Sequence, residues 1–399
     1  MGVNSEFNFD HAPGSAPGFV GEIRHRTKNT HSGIIHLVLE MSAPFYERHF
    51  SCIEKLIEHH PKRVYVSINP TKLTQRIKYS MDLLNIIKSK KNSFKGTPSE
   101  LGLDAVIHHI EVSESHFELG RSNGEHLYTD AIYRTNQAFE GALKEAYRIL
   151  TGEDPSNKSP FQIEKHLGSS HLLKERVLSQ FTIYRTEWRN KSTHDYQLFF
   201  SSQEALLAIV SVSAFLNILL DQMLEKQSFD FEKSKIEMRG KKLLSDNDTY
   251  GSLNLLQQTI EIMKLFSHEI KEEIDEYIAL KESELLGRLA GFISATDPKI
   301  KIITEHAINY ELGSFRPDML LKKDDKHLIV ELKRPQIEYT RRAREGVEQL
   351  KHYLNVSNIS QGIIFAPAYK SEVEEDYREY FSDDKNKEFK IATYTPAIL

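Results

Sequence analysis

The sequence predicts a multidomain α/β chain in three parts, and three patterns carry that prediction. Short apolar runs alternate with amphipathic stretches from Gly33 onward, a mostly helical segment begins near Leu127, and strand and helix patterns alternate again in the last third. The expected organisation is a flexible arm over residues 1–32, a small Rossmann-like α/β domain over 33–126 and a helical bundle over 127–226. A linker over 227–252 and a C-terminal α/β domain over 253–399 complete it.

Each element has its own signal. Residues 1–32 are rich in Gly, Pro, Ser, Asn and His, a composition that does not build a packed element. Ile34–Glu40 and Arg63–Ile68 read as strands, Tyr46–His59 and Thr74–Lys90 as helices, and Ala105–Val112 (AVIHHIEV) as a third strand. No Gly-rich phosphate loop accompanies them. Asp130–Leu150 carries Ile132, Ala138, Phe139, Ala142, Leu143 and Ala146 at helical spacing, and Gly152 and Pro155 end it. Helices are expected at Lys174–Trp188 and Ser202–Lys226, then a long one over Leu253–Ala295. The basic run Lys88–Gly96 reads as a solvated helix end.

Composition excludes several classes. Hydrophobic residues make up 39% and charged residues 27%, the profile of a globular chain. The richest apolar stretch, Ala205–Leu220, is interrupted by Ser211, Ser213 and Asn217, so a buried helix is expected rather than a membrane span. The N-terminus has no basic region followed by an apolar core, so a cytoplasmic location is expected. Cys52 is the single cysteine, which rules out a disulfide framework and a cysteine-based zinc site. A net charge of −5 does not mark a nucleic-acid binder in bulk, but Arg334, Arg341, Arg342 and Arg344 form a local basic patch.

That patch adjoins the segment with the most chemistry, ELGSFRPDMLLKKDDKHLIVELKRP from Glu311. Phe315–Leu321, containing Asp318, and His327–Lys333 read as two strands of a β-hairpin across a polar turn. Glu331 and Lys333 are two apart and share a face, and the hairpin brings Asp318 alongside. Two carboxylates and a lysine on one face suit a hard cation such as Mg²⁺ or Mn²⁺. Such a cation lowers the pKa of bound water and neutralises phosphate charge, while the ammonium stabilises developing negative charge. A lone Glu-x-Lys is ordinary surface chemistry; the preceding Pro317-Asp318, the hairpin and the helix after it favour the functional reading.

Pro317-Asp318 and Glu331-Leu332-Lys333 resemble the motif of the PD-(D/E)xK nuclease superfamily, over roughly the last third of the chain. The resemblance implies a restriction-endonuclease-like domain, a mixed sheet flanked by helices that hydrolyses phosphodiester bonds. Asp318 and Glu331 would hold the metal and Lys333 would act beside it. A helix over Arg341–Leu354 carries Gln349 and Tyr353, like the Gln-x-x-x-Tyr element of RecB-type members, and a strand follows at Gln361–Ala366. In the family an acid on the helix before the first strand often completes the metal site; Glu284 is the expected residue, with Glu282 next.

In the middle segment Arg189 and Asn190 precede His194 in WRNKSTH. An arginine can bind a phosphate and an imidazole can move protons in metal-free RNA cleavage, but a surface arginine and a capping or core histidine would give the same letters. Trp188 reads equally as core anchor or base-stacking platform. Set between apolar helices, the motif is similar to that of the HEPN family, which implies a HEPN-like helical domain whose dimerisation joins two motifs. The pairing of the two families implies prokaryotic antiphage or plasmid defence, DNA rather than RNA as substrate, and a homodimer or higher homo-oligomer without a membrane. The module order resembles CARF-type sensors of cyclic oligonucleotides, implying a signalling ligand or partner protein at the N-terminal domain. Two alternatives stand: a metal-free ribonuclease acting through Arg189 and His194, and a non-catalytic nucleic-acid-binding scaffold.

Overall fold

In a computed structural model the described residues are 83–170, 172–190, 199–239, 249–269, 273–311, 313–334, 339–367, 376–384 and 387–395. All of them belong to one compact unit, Leu83–Leu399. The arm over 1–32 and the strands and first helix expected before residue 83 lie outside the described residues.

The first half is helical. Residues 83–91 (α1) lead through a 3₁₀ turn into α2 (Glu100–Asn123), which pairs with α3 (His126–Thr151). The strand expected at Ala105–Val112 is therefore a correction: these residues lie inside α2. Its β-branched residues suggested a strand, yet Leu103, Val106, Ile107, Ile110 and Phe117 are the ones buried. That is helical spacing, and packing against α3 satisfies it. Residues 83–123 thus share a core with α3 rather than completing a sheet.

Gly152, at φ +75°, closes α3, a left-handed C-terminal conformation that costs glycine little. Ser159 and Gln162 form a capping box that starts α4 (Pro160–Ser169). Then comes α5 (Glu175–Tyr184), whose last turn widens to a π-turn over Arg185–Arg189. Phe139 lies 4.6 Å from Tyr184 and 5.2 Å from Phe215 between ring centroids at the centre of this core. Trp188 packs against two neighbouring clusters of it, so its place is that of an anchor.

The expected linker is also corrected. Helix α6 (Ser202–Met238) starts on a Ser201–Glu204 capping box and runs 37 residues, into the first half of the stretch expected to be irregular, of which residues 240–248 lie outside the described residues. The polar composition of 227–238 reflects a half-exposed face, while Glu232 and Ile236 are buried. By length and composition α6 could cross a membrane; 56% of its most apolar window is buried within the fold. Of the basic run before it, Lys90 bonds Asp221 and Asn217 and Lys91 pairs with Asp104 at 2.5 Å, while Asn92, Lys95 and Gly96 are exposed as a helix end would be.

The long helix expected over Leu253–Ala295 is three: α7 (Leu255–Glu269), α8 (Ile274–Ala279) and α9 (Glu282–Thr296). Helix α9 crosses α6 at backbone contact. A Cβ on Gly287 would stand 2.2 Å from the Glu225 carbonyl oxygen, and one on Gly291 2.4 Å from that of Phe229. These two glycines let the helical half and the sheet half meet as one body.

The sheet has six strands: β1 (Lys301–Thr304), β4 (Met319–Lys323), β5 (Lys326–Leu332), β6 (Gln361–Phe365), β8 (Lys387–Thr395) and β7 (Asp376–Asp384), in that spatial order. Strands β5, β6 and β8 are parallel and the remaining pairings antiparallel, a mixed sheet. Helix α10 (Tyr339–Val356) makes the crossover from β5 to β6 and covers one face with Leu350 and Leu354, while α7 and α9 cover the other. A small hairpin, β2 (Ile308–Tyr310) with β3 (Gly313–Phe315), sits beside α10.

Candidate active site

Strand register explains why the acids meet. Met319 pairs with Val330 and Leu320 with Ile329, so one further step places Asp318 opposite Glu331. Asp318 itself lies just ahead of β4, where the sequence expected it inside the strand. Leu328, Val330 and Leu332 enter the core beneath α7 and α9, whereas Ile329 enters the core beneath α10. Glu331 and Lys333 follow Ile329 by alternation and therefore point to the α10 side, at the carboxyl end of a parallel strand.

Hydrogen bonds fix the group. Leu332 N–H donates to Asp318 Oδ2 at 2.7 Å, and Lys333 N–H donates to the Phe365 carbonyl on β6 at 2.8 Å. Lys333 Nζ donates to Glu331 Oε2 at 3.3 Å and to Gln349 Oε1 at 3.4 Å. Gln349 Nε2 in turn donates to the Tyr353 hydroxyl at 2.7 Å, and Tyr353 stacks on Phe315 with centroids 4.1 Å apart. Room for the lysine comes from Gly346 on α10, where a Cβ would stand 3.0 Å from Lys333 Cε. The structure thus brings together Asp318, Glu331, Lys333, Gln349 and Tyr353.

Burial dominates the electrostatics of the two carboxyls. Glu331 is 2% exposed, and its Oε1 accepts no hydrogen bond among the described residues. Burial pushes the Asp318 carboxyl up to about 6. Burial, reinforced by the Asp318 charge, pushes Glu331 up to about 7, with Lys333 pulling in the opposite direction. Two carboxylates held this way fit a divalent cation whose remaining ligands are waters and phosphate oxygens, the habit of Mg²⁺. Among the described residues no group of three or more His, Cys, Asp or Glu side chains is placed to hold a metal ion.

Glu284 does not face this centre. Its Oε2 accepts from the Lys281 N–H at 2.9 Å, closing the cap of its own helix. Glu282, about 200° round the helix from Glu284, is the one that lines a cavity of about 650 Å³ with Asp318, and its charge raises the Asp318 proton affinity. Sequence could not choose between two acids two positions apart without knowing which one caps.

A second carboxylate near Asp318 was not foreseen. Glu305 has φ +48°, an uncommon conformation for a non-glycine residue, and its N–H donates to the Asp318 carbonyl at 3.1 Å. Its carboxylate pairs with Lys174 at 2.8 Å and Arg176 at 2.9 Å, both from the helical half. Lys174 also pairs with Glu225, which accepts from Thr304. Nothing local in the sequence marks this clamp, because its members come from three distant stretches of the chain, at Lys174 and Arg176, at Glu225, and at Thr304 and Glu305.

Of the basic patch, Arg334 lines the cavity and donates to the Leu280 carbonyl at 3.2 Å. The side chains of Arg341, Arg342 and Arg344, in the first turns of α10, lie outside the described residues. Arg189 stands apart from this centre: its Nε lies 3.7 Å from carboxylate oxygens of both Glu140 and Glu164, and it donates to Asn190 Oδ1 at 3.3 Å. Glu164 is 3% exposed and burial raises its proton affinity. His194 lies outside the described residues.

Compared with known proteins, the chain matches no family model, no curated protein and no solved structure.

Proposed function

We propose that the chain is a metal-dependent nuclease that hydrolyses phosphodiester bonds, DNA ahead of RNA, in prokaryotic defence against phages or plasmids. The observation that carries this reading is the buried Asp318–Glu331 pair with the Lys333 ammonium 3.3 Å from Glu331. Asp318 and Glu331 would hold Mg²⁺ or Mn²⁺, with Glu282 the nearest further carboxylate of α9. The ion would neutralise the phosphate and make a nearby water more acidic.

The protein's own groups do the rest. Asp318 and Glu331, whose carboxyls hold their protons more tightly than usual, would have to be ionised to hold it. Lys333, aimed by Glu331 and Gln349, stabilises negative charge on the phosphate oxygens. Tyr353 and Phe315 hold Gln349 against reorientation, which makes Gln349 a positioning residue. Arg334 and the arginines of α10 would hold flanking phosphates. In this reading the HEPN-like bundle serves dimerisation.

The test is cleavage of DNA and RNA in Mg²⁺ or Mn²⁺, repeated with chelator, using Asp318→Ala, Lys333→Ala and His194→Ala. DNA cleavage abolished by chelator and by the first two variants is expected. RNA cleavage that survives chelator and is lost in His194→Ala would replace this reading with the ribonuclease, and binding without turnover in every condition would leave a scaffold.

A further inference from the structure

Asp318 stands just beyond the last ladder pair of β1 with β4, Thr304 opposite Met319, so regular strand pairing does not hold it. Two chain segments flank it. One is Glu305, whose N–H donates to the Asp318 carbonyl at 3.1 Å; the other is Arg316, two residues before it. Three successive residues at the start of α5 hold both. Lys174 Nζ and Arg176 Nη2 lie 2.8 and 2.9 Å from the Glu305 carboxylate, and Arg316 Nη2 donates to Glu175 Oε2 at 2.9 Å. We infer that Lys174, Glu175 and Arg176 are positioning residues of the acidic centre: acting through Glu305 and Arg316, they set where the Asp318 carboxylate stands. This rests on the nuclease reading.

The grip has a fixed origin. Lys174 N–H donates to Gln222 Oε1 at 3.1 Å, and Gln222 Nε2 donates to the Leu172 carbonyl at 2.6 Å, which ties the start of α5 to α6. Lys174 also pairs with Glu225 of α6, which accepts from the Thr304 hydroxyl beside Glu305. Helix α6 in turn meets α9 at backbone contact. The start of α5 is a platform, not a loose arm.

The strain at Glu305 points the same way. Its φ of +48° turns the chain off β1 at the residue that bonds Asp318. Such conformations persist where the surroundings impose them, and Lys174 and Arg176 supply that constraint. Asp318 Oδ2 accepts from Leu332 N–H, next to Glu331, so a shift of the Asp318 main chain is passed to the carboxylate that has to meet Glu331. A misplacement of about 1 Å caused far from the chemistry can cost about a hundredfold in rate. The Glu175–Arg316 pair, 66% and 39% exposed, contributes little to stability. Loss of the grip therefore shows in rate and local opening before it shows in the fold.

The experiment uses the full chain. Glu175→Gln combined with Arg176→Gln leaves Lys174 on Glu225 but removes the grip on Arg316 and half of that on Glu305. In saturating Mn²⁺ its kcat on a labelled oligonucleotide should fall about tenfold, with KM within about twofold of the wild type. The thermal midpoint of the metal-free protein should move by no more than about 4 °C. In the same metal-free protein, hydrogen exchange of the Glu305 and Leu332 amides, read singly by NMR, should be about tenfold faster, with that of Ile364 on β6 unchanged. Glu175→Arg should also lower kcat, and adding Arg316→Glu should restore it to within about twofold of the wild type. If the double glutamine variant does not fold by circular dichroism, Glu175→Arg with and without Arg316→Glu takes its place in the exchange measurement. Wild-type kcat, wild-type exchange at Glu305 and Leu332, or faster exchange spread equally to Ile364 overturns the positioning role while leaving a nuclease. If the wild type cuts no substrate, the nuclease reading falls instead, and the two amides still decide whether α5 holds Asp318.

Discussion

The carboxyls of Asp318 and Glu331 hold protons more tightly in the folded chain than they would in an unfolded one, where both titrate near 4. The sign follows from that. A proton bound more tightly by the folded state favours folding at low pH, and the advantage is lost as pH rises from about 4 through about 7. Above that range the metal-free protein carries two buried carboxylates beside the single Lys333 ammonium, which disfavours the folded state. Removing one charge should therefore stabilise the metal-free protein while destroying activity. Glu331→Gln and Asp318→Asn are expected to raise the thermal midpoint by several degrees at pH 8 and hardly at all at pH 4. A fall at pH 8 in calorimetry would mean that the carboxylates serve the fold itself.

Elements show where sequence and structure part. The β4–β5 hairpin, α10 and β6 were legible because each carries its signal within a few residues: alternation, a polar turn, helical spacing. The edge strand β7, DYREYFSDD, was not, since only its pairing with β8 makes so polar a stretch extended. Segment 105–112 read as strand because β-branched residues satisfy two periods at once, and only the partner helix chooses between them. Asp318, Glu331, Lys333 and Gln349 were legible as a motif, but Gly346 was not, because its role is distance. Helix α10 can lie over Lys333 only where no Cβ intervenes. Gly346→Val should push the ammonium away from Glu331 and Gln349, lowering cleavage about tenfold or more with the fold retained, as kinetics and circular dichroism would record. Wild-type turnover in this variant would remove Lys333 orientation from the mechanism.

The same glycine logic operates across the molecule. Helix α6 belongs to the bundle by its first half and to the sheet by its second, and Gly287 and Gly291 weld it to α9. A β-branched side chain at either glycine would collide with main chain rather than with a yielding side-chain tip. Gly287→Val is therefore expected to lower the midpoint of the whole described unit, by an overpacking cost of about 1–3 kcal/mol or more, not of one half alone. Shared unfolding has a further consequence for ion binding. An ion that binds only the folded state stabilises it by RT ln(1 + [L]/Kd), about 2.7 kcal/mol at a hundredfold excess over Kd. Trp188, the one tryptophan, packs partly buried against the bundle core, far along the chain from the carboxylates. If bundle and sheet unfold together, Mn²⁺ taken up at Asp318 and Glu331 must move the transition that Trp188 fluorescence reports, by as much as it moves the circular-dichroism transition. The shift should be present at pH 8, shrink at pH 5 where the carboxyls keep their protons, and vanish in Asp318→Asn. A circular-dichroism transition that moves while that of Trp188 stays fixed would divide the molecule into two bodies.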